Sequence, residues 1–198
     1  MNNECISPIS VYQSIIKSSF MLERNGSCYL IKEDKKNTSN RIFKIQVSKS
    51  IGFSLDKNGK RWDFFSDNLP KGIASVSDGI IFCEYRGEYY TIIIDMKSKN
   101  ISNGISQVRS SIALCQWLNI LIHVHKSSRG FRCKFIGLIC KTGRNTPSKR
   151  GTRKGIDPDA VYKYDGHPIF TLELSNQVQR FFEVNFIRCF PTQTFTRS

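Results

Sequence analysis

Three residues near the middle of the chain have the types and spacing for metal-assisted attack on a phosphate ester. Asp95 and Lys97 close the run IIIDMKSK, residues 92–99, and Asp78 opens the run DGIIFCEY, residues 78–85. Between the two acids lie apolar stretches separated by Arg86-Gly87, a pattern that predicts a β-hairpin with a two-residue turn. With those two residues as the loop, Tyr85 faces Glu88 and Asp78 faces Asp95, their Cβ atoms about 4.5–5.5 Å apart on one face. Side chains alternate along a strand, so Lys97 shares that face and Met96 points away. A three-residue loop with Gly87 in a bulge would shift the pairing by one position, but the acids would still bracket the open end of the hairpin.

Opposed carboxylates repel, and a bound divalent cation compensates them. Mg²⁺ takes oxygen ligands, one or two of them carboxylates, and leaves its other positions to water and substrate phosphate, with Mn²⁺ as the expected substitute. An adjacent lysine adds a point charge that steadies a phosphate oxygen or tunes an attacking water. Two acids, a metal and a lysine at the end of a dry strand therefore predict phosphodiester hydrolysis. The plainer alternative is a strand that simply ends in solvated polar residues.

The elements that must position these residues read as an α/β chain with a mixed sheet at its centre. SPISVYQSIIKSSFML, residues 7–22, has Val11, Ile15, Ile16 and Phe20 at helical spacing, with Ser7 as N-cap and Pro8 in the first turn. KEDKKNTSN, 32–40, is a polar loop; RIFKIQV, 41–47, alternates as a strand; GFSL, 52–55, is a short strand; and DKNGK, 56–60, is turn chemistry. The hairpin spans 71–97, a second helix 102–121 runs through Ile105, Val108, Ile112 and Leu118, and KFIGLIC, 134–140, is a further strand. GHPIFTLEL adds another strand beyond it. Neither a repeat nor a linker divides the chain, which reads as one domain over 1–198. Its core covers roughly 7–140, followed by a basic loop at 141–154 and a C-terminal strand extension at 160–190.

Charge points to the partner. The 30 Lys+Arg outweigh 16 Asp+Glu for a net +14, which favours a polyanion, DNA first and RNA as the alternative. Lys141, Arg144, Lys149, Arg150, Arg153 and Lys154 lie in one stretch without an acid, suited to a phosphate backbone. Subtracting those six from +14 still leaves +8, so the rest of the chain is basic too. No apolar run approaches the roughly 20 residues of a membrane span. MNNECISPIS lacks the features of a secretory signal, so no membrane partner and a cytoplasmic location are expected.

Cysteines occur at 5, 28, 83, 115, 133, 140 and 189, without a CxxC pair and several inside apolar runs, which predicts buried reduced thiols. Zinc on Cys133, Cys140, His123 and His125 is the sharper reading, but the spacing fits no usual zinc module. The histidines at 123, 125 and 167 have no partner acid or nucleophile in sequence, and no Gly-rich phosphate loop occurs. Glu84 and Glu88 flank the turn as surface residues, and Lys99 shares the face of Lys97 only if the strand continues that far, its expected contact being phosphate or solvent.

With Asp78 opening one strand and DMK closing the next, the pattern resembles the PD-(D/E)xK nuclease superfamily of restriction endonucleases, junction resolvases and repair nucleases. The resemblance covers about Ser7 to Cys140 and implies a restriction-endonuclease-like αβββαβ core, a central mixed sheet flanked by helices. It departs from the motif at Ser77, where the family has proline, and in having Asp rather than the more frequent Glu at 95. The resemblance implies that Asp78, Asp95 and the Met96 carbonyl hold Mg²⁺, and that Lys97 positions water and stabilises the transition state. It adds Gln107 as a polar residue near the metal on the following helix, and Glu23 as a weaker match to an acid on the first helix. The activity implied is a metal-dependent DNA endonuclease of restriction, phage defence or a mobile element, acting as a homodimer or as a subunit of a larger complex. A binding module on the same fold without activity is the alternative.

Overall fold

A computed structural model of the chain describes residues 7–32, 42–56, 68, 72–97, 101–126, 131–141, 162–173 and 178–182. In chain order the elements are α1 (Pro8–Ile15), a 3₁₀ turn (Ser18–Phe20), β1 (Glu23–Asn25), β2 (Cys28–Lys32), β3 (Ile42–Gln46) and β4 (Ser50–Phe53). β5 (Gly79–Tyr85), β6 (Glu88–Lys97), α2 (Ile101–Lys126), β7 (Cys133–Lys141), β8 (Tyr162–Tyr164), β9 (His167–Glu173) and β10 (Val178–Phe182) follow. The fold is mixed α/β, with strands in two sheets.

The hairpin forms in the two-residue register. Tyr85 pairs with Glu88 and Gly79 with Ile94, so the next step sets Asp78 against Asp95. Arg86 and Gly87 both have positive φ, 51° and 78°, the backbone of a type I′ turn whose twist suits a hairpin. The Arg86 guanidinium lies over the Tyr85 ring, 5.3 Å from its centroid, in partial compensation for a non-glycine residue in the left-handed region.

This hairpin sits inside a six-stranded sheet of order β4-β5-β6-β7-β9-β8. β4, β5 and β6 run antiparallel, β6, β7 and β9 run parallel, and β8 closes the far edge antiparallel to β9. The isoleucine run is buried on both faces, as its composition predicts. Ile92, Ile94 and Met96 pack with Phe43, Ile45, Leu138 and Phe170, whereas Ile93 packs with Tyr12, Val108, Ile112 and Ile139. Each fully buried isoleucine stabilises the fold by roughly 1.5–3 kcal/mol, which anchors the strand that ends in Asp95.

The two faces are covered differently. α1 and α2 lie on one, joined by a hydrogen bond from the Tyr12 hydroxyl to Asn119. On the other lies the second sheet, order β1-β2-β3-β10, antiparallel except for the parallel β3–β10 pair. The expected sheet flanked by helices is therefore corrected to helices on one face and a second sheet on the other. β1 and β2 were not predicted, and Tyr29 and Ile31 of β2 belong to the core between the sheets.

The first helix also ends earlier than its periodicity suggests. Ile16 is already extended, and the chain then runs beside β4, where Leu22 N–H donates to the Gly52 carbonyl at 2.9 Å and Ser54 N–H to the Phe20 carbonyl at 2.8 Å. Covering the edge of the large sheet thus wins over continuing the helix. α2 runs five residues past its expected end at 121, and GHPIFTLEL belongs to a β8–β9 hairpin turned by Asp165-Gly166.

Candidate functional site

Asp95 and Lys97 emerge at the carboxyl end of β6 on the face covered by α2, because odd-numbered residues of that strand point there. Asp95 is completely buried. Lys97 Nζ lies 3.0 Å from Asp95 Oδ2 and 3.2 Å from Oδ1, with 13% of the lysine side chain exposed. A carboxylate this deep is tolerable only when paired, and the ammonium two residues on supplies the pair.

Asp78 is half-buried just before β5 begins. Its Oδ2 accepts a hydrogen bond from Met96 N–H at 2.5 Å, in the position where a ladder carbonyl would otherwise stand. The Asp78 carboxylate therefore finishes the hairpin where the backbone of β5 stops. Met96 itself turns its side chain to the opposite face, where it is buried. Both acids act on one reporter. Burial pushes the Cys140 thiol well up, and the negative charges of Asp95 and then Asp78 push it further.

α2 shapes the site with three residues. Gln107 donates from Nε2 to the Val76 carbonyl at 3.2 Å. One turn later the buried Ser111 accepts from Ser77 N–H at 2.8 Å and donates to Ser77 Oγ at 3.2 Å. The pair clamps the segment that delivers Asp78, so Gln107 is placed to hold backbone next to the acid. The clamp also uses the Ser77 N–H, which a proline at that position would lack. Third, Gly104 lets the helix approach the strand end: a Cβ there would lie 2.9 Å from Asp95 Oδ2 and 3.2 Å from Lys97 Cγ. Sequence reasoning missed Ser111 and Gly104, although a glycine inside a helical pattern signals close packing.

The other candidates distribute as follows. Glu23 lies on β1 rather than on a helix, a correction that follows from the early end of α1, and is ion-paired with Lys32 at 2.5 Å. A cleft of about 240 Å³ brings Glu23, Lys32, Ser54 and Asp56 alongside Asp78. Glu84 and Glu88 stand near the turn, paired with Lys49 at 3.5 Å and Lys134 at 2.7 Å. The Lys134 hydrogen bond, then that of Tyr90, lowers the Glu88 pKa.

Lys141 closes β7 directly beside Lys97 in the parallel register. Arg144, Lys149, Arg150, Arg153 and Lys154 lie outside the described residues, as does Lys99. The zinc reading fails on geometry. Cys133 and Cys140 belong to opposite faces of β7, and His123 and His125 are exposed on α2. Cysteines 28, 83, 115, 133 and 140 are free thiols. Among the described residues no group of three or more His, Cys, Asp or Glu is placed to hold a metal ion, and no helix is long and apolar enough to cross a membrane.

No protein-family model, curated protein or solved structure matches this chain.

Proposed function

We propose that the protein is a divalent-metal-dependent endonuclease that hydrolyses DNA phosphodiester bonds on a restriction-endonuclease-like fold. The observation that carries this reading is the hairpin register, which opposes Asp78 to Asp95 at the end of a buried strand with Lys97 beside them. The order α1, β4, β5, β6, α2, β7 supports it, since these elements follow the αβββαβ sequence and the four strands are neighbours in one sheet. Their position agrees with the general tendency of open α/β sheets to bind ligands outside the carboxyl ends of parallel strands.

The donor set suits a hard cation. Asp78, Asp95 and the Met96 carbonyl would hold Mg²⁺ through oxygen alone, and two carboxylates are the number this ion ordinarily takes from protein. When bound, the ion lowers the pKa of water and offsets the charge that develops on the phosphate. The chain's own residues do the rest. Asp95, fixed by α2, and Asp78, fixed by the Gln107–Ser111 clamp, set the position of attack, while Lys97 is within reach of a phosphate oxygen or the attacking water.

A second reading, a nucleic-acid-binding module without activity, is favoured by one specific feature. Lys97 already bridges both oxygens of Asp95, and Asp78 is engaged by the Met96 amide, so both acids have structural work without a metal. Cleavage of supercoiled plasmid, single-stranded DNA and RNA, with Mg²⁺, Mn²⁺ or EDTA, separates the readings. The variants to use are Asp78→Asn and Asp95→Asn, which keep the hydrogen bonds better than alanine. Metal-dependent DNA cutting that both variants lose supports the nuclease. Salt-sensitive binding without cutting supports the module, and cutting confined to RNA reassigns the substrate.

A further inference from the structure

We infer that the outward face of α2 is the surface on which two copies of this chain associate, their α2 helices antiparallel across a two-fold axis. This face is turned away from the sheet and owes nothing to the nuclease reading.

A helix laid on a sheet ordinarily turns charged and polar residues to water on its far side. α2 does not. Val108, Ile112, Cys115 and Ile122 pack in the core beneath it, and the opposite side has Ala113, Trp117, Ile120 and Val124. Trp117 is 48% exposed, Ile120 60% and Val124 65%, with half-buried Leu114 and Leu121 along one margin of the stripe. From residue 110 to 125 there is no Lys, Arg, Asp or Glu. Arg109, just before that stretch, is turned to the side, with its guanidinium 5.6 Å from the centroid of the Tyr164 ring. A helix that is apolar on both sides belongs in an interior, and within one copy only one side is covered.

The stripe is shaped for a helix. Its positions 113, 117, 120 and 124 follow the alternating four-and-three spacing by which one helix receives the side chains of another. A nucleic-acid backbone would need lysines and arginines, and a helix lying in a membrane interface would need them on its flanks; the stripe has neither. A second copy fits for two reasons. Two chains at +14 repel over most of their surface, so they can meet only where charge is absent, and residues 110–125 supply about 24 Å of such helix. The stripe is also its own complement. About a two-fold axis between Trp117 and Ile120, each Trp117 meets the second copy's Ile120, and each Ala113 meets its Val124, so bulky residues face smaller ones along the seam. A tryptophan at the centre of an uncharged patch is the usual composition of an interface core. Gly104, against Asp95, lies near one end of α2, so antiparallel pairing sets the two Asp95 sites at opposite ends of the helix pair.

The test is the mass in solution, measured by sedimentation over a concentration series in moderate salt. Wild type is compared with Trp117→Lys, Ile120→Glu and Val124→Glu, all at exposed positions, with circular dichroism and urea midpoints to show that each is folded. Wild type is expected to have the mass of two chains. Each folded variant weakens association by at least about 30-fold, the effect of losing one dominant interface residue. An equimolar mixture of Trp117→Lys and Ile120→Glu recovers the two-chain mass, because the new lysine and glutamate face each other across the axis. A single-chain mass for wild type at every concentration overturns the inference, as does a dimer that every folded variant retains. A mixture that stays monomeric overturns the antiparallel pairing. Binding of single-chain wild type to phosphatidylserine vesicles, lost in the variants, would assign the stripe to a membrane surface instead. None of these measurements uses metal or DNA, so their outcome is separate from that of the cleavage assays.

Discussion

Gly104 and Asp95 are in such close approach that a single methyl group on the glycine would stand 2.9 Å from the buried Oδ2 of the acid. Glycine is a poor choice for a helix, and replacing it by alanine ordinarily stabilises a helix by about 1 kcal/mol. Here the sign reverses. Asp95 is fully buried, and Ile139 Cγ2 and Lys97 Cγ are both 3.2 Å from the same point, so little can move aside. Gly104→Ala is expected to destabilise the chain by about 1–3 kcal/mol in urea unfolding, the range for overpacking. It should also reduce metal-dependent cleavage by at least tenfold at a temperature where the variant is folded. A stability gain near the ordinary helix value would show that α2 does not press on the site.

Breaking the ion pair from one side leaves a buried charge. Lys97→Met strands Asp95, and a loss of about 3–5 kcal/mol is expected in equilibrium unfolding. Removing both charges, in Lys97→Met with Asp95→Asn, should recover most of that loss. A double-mutant cycle with no coupling would mean that solvent, and not the lysine, compensates the acid.

The Ser111 hydroxyl serves the backbone ahead of Asp78, so Ser111→Ala leaves the Ser77 N–H buried without its acceptor. The expected cost is about 1–3 kcal/mol. Gln107→Ala, whose partner carbonyl is Val76, should cost less in stability and act on the site. Its effect is expected on the apparent metal affinity more than on unfolding, read by titrating Mn²⁺ against cleavage and against a binding signal. A drop in stability with an unchanged metal titration would limit Gln107 to a structural tie.

His167 gives the fold a pH dependence whose sign is fixed. Burial lowers its pKa from the ordinary histidine value, against a smaller opposite effect of Asp165. Its Nε2 lies 3.2 Å from Gln116 Nε2, a geometry in which neutral imidazole accepts from the amide. A lowered folded-state pKa means the unfolded chain takes up the proton first. The stabilisation is therefore full above about pH 6.5 and is lost as pH falls through the lowered value. Urea midpoints at pH 7.5 and pH 5.5 should differ by more in wild type than in His167→Gln; equal differences would assign the acid sensitivity elsewhere.

The hairpin was legible because three local signals agree: an apolar run long enough for a strand, a glycine at the second turn position, and acids at matching distances from that turn. The Asp78–Asp95 opposition follows from the register alone. The clamp was not legible, since Ser77 and Ser111 are unremarkable in sequence and meet only when α2 packs against the sheet. α1 shows the same limit from the other side. Ile15 and Ile16 fit a helical stripe, yet Ile15 is 43% exposed and the chain turns extended at Ile16, because the edge of β4 offers hydrogen bonds the helix cannot. β1 and β2 escaped notice because they are short and β1 is wholly exposed, leaving no alternation to read. For the second sheet, tertiary contact decided what propensity left open.

The parallel β3–β10 pair, in which Ile42 meets Val178, has a consequence for how the protein is made. A ribosome releases β3 before β4 to β9 and β10 only after all of them. Throughout that interval one side of β3 has backbone donors and acceptors with no strand to receive them, beside buried Phe43 and Ile45. The nascent chain thus has an unpaired margin from the emergence of β3 until that of β10.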